Sequence, residues 1–130
     1  RIMKQEGIEE RYARHARQGA LVDAAMESIG FTVAAKEPFR APTLSVYLYP
    51  GESGLDDAAF RNTLASEGVQ SAGCLGDFQG KGFRMGHMGN IDKHTLVSAI
   101  GAVERACAKC GYRIEFGKAL GVLQEGLARE

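Results

Sequence analysis

One arginine stands inside an apolar, glycine-punctuated run, Lys81-Gly82-Phe83-Arg84-Met85-Gly86-His87-Met88-Gly89-Asn90. Its guanidinium is a permanent charge with a planar fork of donors, matched in shape to a carboxylate. Taken out of water without a partner, such a charge costs several kcal/mol. It must therefore meet an internal acid or an acid carried by a ligand. No Asp or Glu lies within three residues on either side, so an internal partner has to come from elsewhere in the fold, and Asp77 is the candidate. Strand alternation turns Phe83 and Met85 away from Arg84. On the residues alone the two readings stand level. Arg40, between Phe39 and the prolines at 38 and 42, is a second candidate for the same chemistry.

Other residues that could do chemistry have simpler readings. Cys107-Ala108-Lys109-Cys110 is a C-x-x-C, but a reactive thiolate sits at a helix N-terminus and this pair falls at a helix C-terminus. No second C-x-x-C or C-x-x-H completes a tetrahedral zinc site. Cys107 reads as a buried small apolar residue. His15, His87 and His94 share no ligand spacing, and His15, between arginines, reads as a solvated surface position. No metal site is expected. The glycines from 80 to 89 match neither the P-loop nor the dinucleotide fingerprint, and read as tight turns or close backbone approach. Asp56-Asp57 reads as a helix start.

Sixteen Lys and Arg balance sixteen Asp and Glu, and the signs are mixed along the chain. Nucleic acid is thus not the expected partner, since phosphate contacts need a basic face. No apolar run reaches the roughly 18 residues of a membrane span, so no membrane is expected either. Three cysteines outside any disulfide framework fit a reducing, cytosolic setting. The chain lacks an initiating methionine and starts within a helical pattern, which reads as an excised piece or a processed product. At 130 residues it is a single domain over 1–130, able to form its own core.

The elements that would position Arg84 follow from periodicity. Ile8, Tyr12, Ala16, Gly19, Val22, Met26 and Ile29 form the stripe of a helix over about 4–29, with Gly30 as its cap. Phe31 to Ala35 is a short strand. Thr43 to Tyr49 alternates strictly, with Leu44, Val46 and Leu48 on one face and Ser45, Tyr47 and Tyr49 on the other. A helix from Asp56 to about Glu67 ends at Gly68. Val69 to Cys74 and Gly82 to Met88 are the third and fourth strands. Asn90 or Asp92 caps a helix over 93–109 that ends at Gly111. Tyr112 to Phe116 can be extended, and a last helix holds Leu120, Val122, Leu123 and Leu127. Strands in consecutive pairs with separately gathered helices predict an α+β two-layer sandwich. Its sheet would have about four strands, antiparallel or mixed, with the helices packed on one face.

The run Gly82-Phe83-Arg84-Met85-Gly86-His87-Met88-Gly89-Asn90 before a capped helix resembles the C-terminal small domain of class V aminotransferases. The alanine–, serine– and ureidoglycine–glyoxylate enzymes of that family use pyridoxal phosphate. Gly7-Ile8-Glu9-Glu10-Arg11-Tyr12-Ala13-Arg14-His15 resembles the family's helix entering that domain. Arg40-Ala41-Pro42-Thr43-Leu44-Ser45 resembles its R-x-P-T-V-x strand entry. The resemblance spans about residues 5 to 111. It implies that Arg84 grips the substrate α-carboxylate, with amino acids and 2-oxo acids as ligands. It also implies that the cofactor lysine and phosphate-binding residues lie in a large domain absent from this chain, which alone would be inactive, and that the parent is a homodimer. The alternative is a small-molecule-binding regulatory or dimerisation module without catalysis.

Overall fold

The computed structural model describes residues 7–36, 44–86 and 92–130. Arg40 and His87 lie outside them. The elements in order are α1 (Ile8–Ser28), β1 (Thr32–Val33), β2 (Leu44–Leu48), α2 (Asp57–Ser66), β3 (Ala72–Gly73), a 3₁₀ turn (Gly76–Phe78), β4 (Gly82–Gly86), α3 (Lys93–Lys109) and α4 (Lys118–Ala128). The four strands form one sheet in the order β1-β2-β4-β3, antiparallel at every neighbouring pair. The fold is the expected α+β two-layer domain.

Local chemistry accounts for the helix ends. Asp56 caps α2 by accepting from the Ala59 N–H at 3.0 Å, and Asp92 caps α3 by accepting from the Thr95 N–H at 2.8 Å. Three helices stop at glycines with positive φ, Gly30, Gly68 and Gly111. At each, the following residue's N–H reaches back five positions, as Phe31 does to the Met26 carbonyl at 3.2 Å. These paired bonds satisfy carbonyls the helix leaves without partners.

In α1 the buried stripe departs from the expected one over its first half. Ile8 and Tyr12 are 56% and 69% exposed, whereas Arg11, His15 and Gln18 are buried. His15, at 6% exposure, is therefore not the surface residue its arginine neighbours suggested. Apolar periodicity locates the buried face only where apolar neighbours cover it, and here the covered side carries long polar chains.

A second departure concerns β2. Ser45 and Tyr47 are buried, while Leu44 is 44% exposed and Val46 and Leu48 are half-buried. The polar face is the inner one because α1 supplies its partner. Buried Asp23 accepts from Ser45 Oγ and from Tyr47 Oη, each at 2.7 Å. With the hydroxyls satisfied, the Tyr47 ring packs 5.7 Å from Phe83 at no cost in unpaired polar groups.

Around this face Phe31, Tyr49, Phe60 and Phe83 make all six possible ring contacts, with centroids 5.4–6.1 Å apart. Helices α2 and α3 close the layer with Phe60, Leu64, Ile100, Val103 and Cys107. Gly82 permits the sheet's tightest approach, since a Cβ there would stand 2.2 Å from the Tyr47 carbonyl oxygen. The segment 112–116 forms no strand. Instead Glu104 of α3 accepts from the Gly117 and Leu120 N–H groups at 2.8 and 3.0 Å, which fastens the start of α4.

Candidate functional site

Arg84 is the third of five residues in β4, paired with Val46 of β2 and Ala72 of β3. Its neighbours Phe83 and Met85 point into the core, so strand alternation turns Arg84 to the opposite face. There it is half-buried, on the same side as Val46 and Leu48. Its Nε–H donates to the Gly73 carbonyl at 2.9 Å. Among the described residues no carboxylate forms an ion pair with Arg84, and Asp77, in the 3₁₀ turn, does not reach it. One edge of the guanidinium is thus fixed to backbone while the Nη fork remains available.

The backbone that holds Arg84 is itself braced. Strand β3 pairs with β4 through only Ala72 and Gly73, yet the Arg61 guanidinium lies flat against Gly73. A Cβ on Gly73 would meet Arg61 Cζ and Nη2 at 3.3 Å and Nη1 at 3.6 Å, near-equal distances that place the guanidinium plane face-on. Asp57 holds Arg61 in that pose through two bonds, Nε to Oδ1 at 3.1 Å and Nη2 to Oδ2 at 3.0 Å. Tyr49 Oη donates to the same Asp57 Oδ1 at 2.7 Å.

The titration directions agree with this geometry. Burial works to raise the Asp57 carboxyl, but the bonds from Arg61 and Tyr49 outweigh it and hold the group below the usual range. Burial and the Asp57 carboxylate push the Tyr49 phenol up. The buried Cys74 thiol is also raised, by burial first and the nearby Asp57 second, against the pull of Arg84 and Arg61. Cys74 is therefore a protonated, inert neighbour at neutral pH.

The other sequence candidates fall outside this cluster. Cys107 is fully buried in the core, where desolvation pushes its thiol up to about 12, and the Cys110 Sγ lies 3.5 Å from Thr63 Oγ1. Among the described residues no group of three or more His, Cys, Asp or Glu side chains could hold a metal ion. No helix among them is long and apolar enough to cross a membrane. A cavity of about 240 Å³ lies beyond the end of β4, between Val69, Met85, Gly86, Leu96 and Ile100, and Arg84 does not line it.

Sequence reasoning missed Arg61, Asp57 and the Gly73 carbonyl as parts of this cluster. The four-residue spacing of Asp57 and Arg61 is the signal of a helical ion pair. No side-chain pattern marks a carbonyl.

No protein-family model matches the chain. Individual proteins do. The chain is 34% identical over 122 residues to a serine–glyoxylate aminotransferase of Hyphomicrobium methylovorum, covering 92% of itself and 30% of that protein. An uncharacterised aminotransferase of Methanocaldococcus jannaschii is 32% identical over 115 residues, which cover 88% of this chain and 29% of the relative. In three dimensions it superposes on the ureidoglycine–glyoxylate aminotransferase of Bacillus subtilis with a TM-score of 0.88 at 26% identity. That match covers 98% of this chain and 33% of the other. By sequence and by fold, the proteins this chain resembles over most of its length are class V aminotransferases, and it spans about 30% of the length of the relatives it matches.

Proposed function

We propose that this chain is the carboxylate-binding small domain of a pyridoxal-phosphate-dependent aminotransferase. In that reading an amino group passes from an alanine- or serine-like amino acid to a 2-oxo acid such as glyoxylate, and Arg84 grips the carboxylate of each. The observation that carries it is the state of Arg84: Nε clamped to a backbone carbonyl, and the fork without an acidic partner among the described residues. The names of the relatives, which act on serine, ureidoglycine and glyoxylate, support carboxylate ligands.

The cavity at the end of β4 does not fit the cofactor. Its capture needs a lysine beside a phosphate cradle, whereas the cavity at the end of β4 is lined by neither lysine nor arginine. Lys109, for its part, is bound to Glu67. In the proposed reading the cofactor, which would supply the electron sink, belongs to the large domain of a longer parent, a cytoplasmic homodimer. The isolated chain would be inactive. What this chain does is bind and orient. Two parallel bonds from the Arg84 fork fix the carboxylate plane. The substrate is thereby turned about its Cα, and closure of the domain over it excludes water.

The test is Arg84→Ala in the full-length enzyme. KM for both substrates should rise, and kcat/KM should fall by the equivalent of about 2–5 kcal/mol. Unchanged kinetics would overturn the assignment.

A further inference from the structure

Arg84 Nε meets a carbonyl on an edge strand of two paired residues, which by itself is too short to hold a fixed position. The chain that fixes it runs through named atoms. Tyr49 Oη and the Arg61 fork both close on Asp57, and the Arg61 plane lies against Gly73, where a Cβ would crowd it at 3.3 Å and push it back by a few tenths of an ångström. The Gly73 carbonyl then receives Arg84 Nε–H. We propose that Arg61 is a positioning residue for Arg84: held by Asp57, it backs the Gly73 segment so that the Gly73 carbonyl fixes the Arg84 fork. This deepens the proposed function and, for its consequence on substrate, rests on it.

The geometry explains three residue choices at once. Glycine at 73 admits the stacked guanidinium. Arginine at 61 supplies a flat surface that a lysine ammonium cannot. Asp57, one position past the helix cap, lies four residues before Arg61, where a helix brings the two side chains together. A guanidinium pinned at Nε keeps only its terminal Nη edge, so the carboxylate is met in one orientation. Without the clamp, the side chain regains rotamers about its outer torsions and must be ordered again when the ligand arrives.

The test reads the Arg84 Nε–H directly, by side-chain proton exchange in NMR spectra of the 130-residue chain. In the parent sequence this proton should be protected. In Arg61→Gln its exchange should accelerate about tenfold or more, while the backbone amides of Phe83 and Ile100 keep their rates. Asp57→Asn, which leaves Arg61 in place but loosens its grip, should give a smaller acceleration in the same direction. If Arg84 Nε–H exchange is unchanged in both variants, the positioning role is overturned. If the Phe83 and Ile100 amides accelerate equally, Arg61 serves general stability and the inference is likewise overturned. A glyoxylate titration of the parent chain separates this from the underlying reading. Arg84 Nη signals that ignore glyoxylate count against carboxylate binding, whereas the exchange result alone decides the clamp.

Discussion

The two faces of the central sheet have inverted chemistries. The inner face carries Ser45 and Tyr47 beside Phe83 and Met85, and it is closed: every one of these side chains is buried. The outer face carries Leu44, Val46 and Leu48 beside Arg84, and it is only partly covered: Leu44 is exposed and the other three are half-buried. A ranking by hydrophobicity alone would exchange them. The inner face can afford two hydroxyls because Asp23 accepts from both at 2.7 Å, and a satisfied Tyr or Ser brings its apolar atoms to the core without an unpaired group. The outer face has an arginine that is tied to backbone and to no acid among the described residues. One face is built to be finished within this chain. The other presents a half-ordered charge.

The largest expected effect comes from opening the closed face. Asp23→Ala removes the buried acceptor that the Ser45 and Tyr47 hydroxyls share. The expected loss is about 2 kcal/mol or more of unfolding free energy, since two hydrogen bonds to a buried carboxylate are lost at roughly 1–3 kcal/mol each. Chemical denaturation would measure it. A loss below about 1 kcal/mol would mean that Asp23 is not what makes the polar face the inner one.

Gly82→Ala tests the contact between β2 and β4 that both faces share. The new methyl would press on the Tyr47 carbonyl, which is backbone and cannot turn aside, so a destabilisation of about 2–3 kcal/mol is expected. Gly126→Ala is the useful contrast. There the collision is with the Leu21 side chain, Cδ2 first and Cγ at 3.0 Å, which a change of rotamer relieves, and alanine recovers nearly 1 kcal/mol of helix propensity. A net change close to zero should appear in the same denaturation series.

Lowering pH probes the edge strand that joins the faces. The folded Asp57 carboxyl titrates below its ordinary value of about 4. The unfolded chain therefore takes up this proton first as pH falls. Asp57 contributes its full stabilisation above that ordinary value and loses it as pH drops through the lower folded value. Glu67, held down by Lys109 and Arg105, acts in the same sense at the exposed junction of α2 and α3. Asp57→Asn should flatten the acid limb of the stability profile, measured by denaturation from pH 5 downward to about pH 3. An unchanged acid limb would remove Asp57 from the bracing cluster.

How much of this was legible beforehand depends on whether a residue's role is local. The helix start at Asp56 and the glycine stops at 30, 68 and 111 follow from chemistry within one or two turns and are plain in the sequence, while the cap at Asp92 is narrowed there to Asn90 or Asp92. Which residues of β2 share a face was equally plain, because alternation is a property of the strand itself. Which face is inside was not, because it is decided by Asp23, more than twenty positions away on another element. His15 was misread for the same reason: its arginine neighbours describe the helix surface locally, while burial depends on what packs over it. The short β3 was overextended, since Val69 to Cys74 has strand composition but only Ala72 and Gly73 find a partner. At the candidate site, Arg84 stood out as a charge among apolar residues. The carbonyl that clamps it has no side-chain signature.

The smallest expected effect sharpens the comparison most. Arg84→Ala in this chain removes one hydrogen bond, to Gly73, and leaves the carbonyl within reach of water on a partly covered face. A net hydrogen bond of this kind is worth about 0.5–1.5 kcal/mol, and alanine also lifts the desolvation burden of a half-buried guanidinium. The two contributions oppose, so the unfolding free energy should change by less than about 1 kcal/mol in either direction. An arginine kept for stability would cost far more, because its loss would strand an ionic partner. A measured loss of about 3 kcal/mol or more would reveal such a partner and move Arg84 to the structural side of the ledger. A near-neutral result, together with loss of carboxylate binding, would separate the sheet's two faces by purpose: the inner one holds the domain together, and the outer one holds something else.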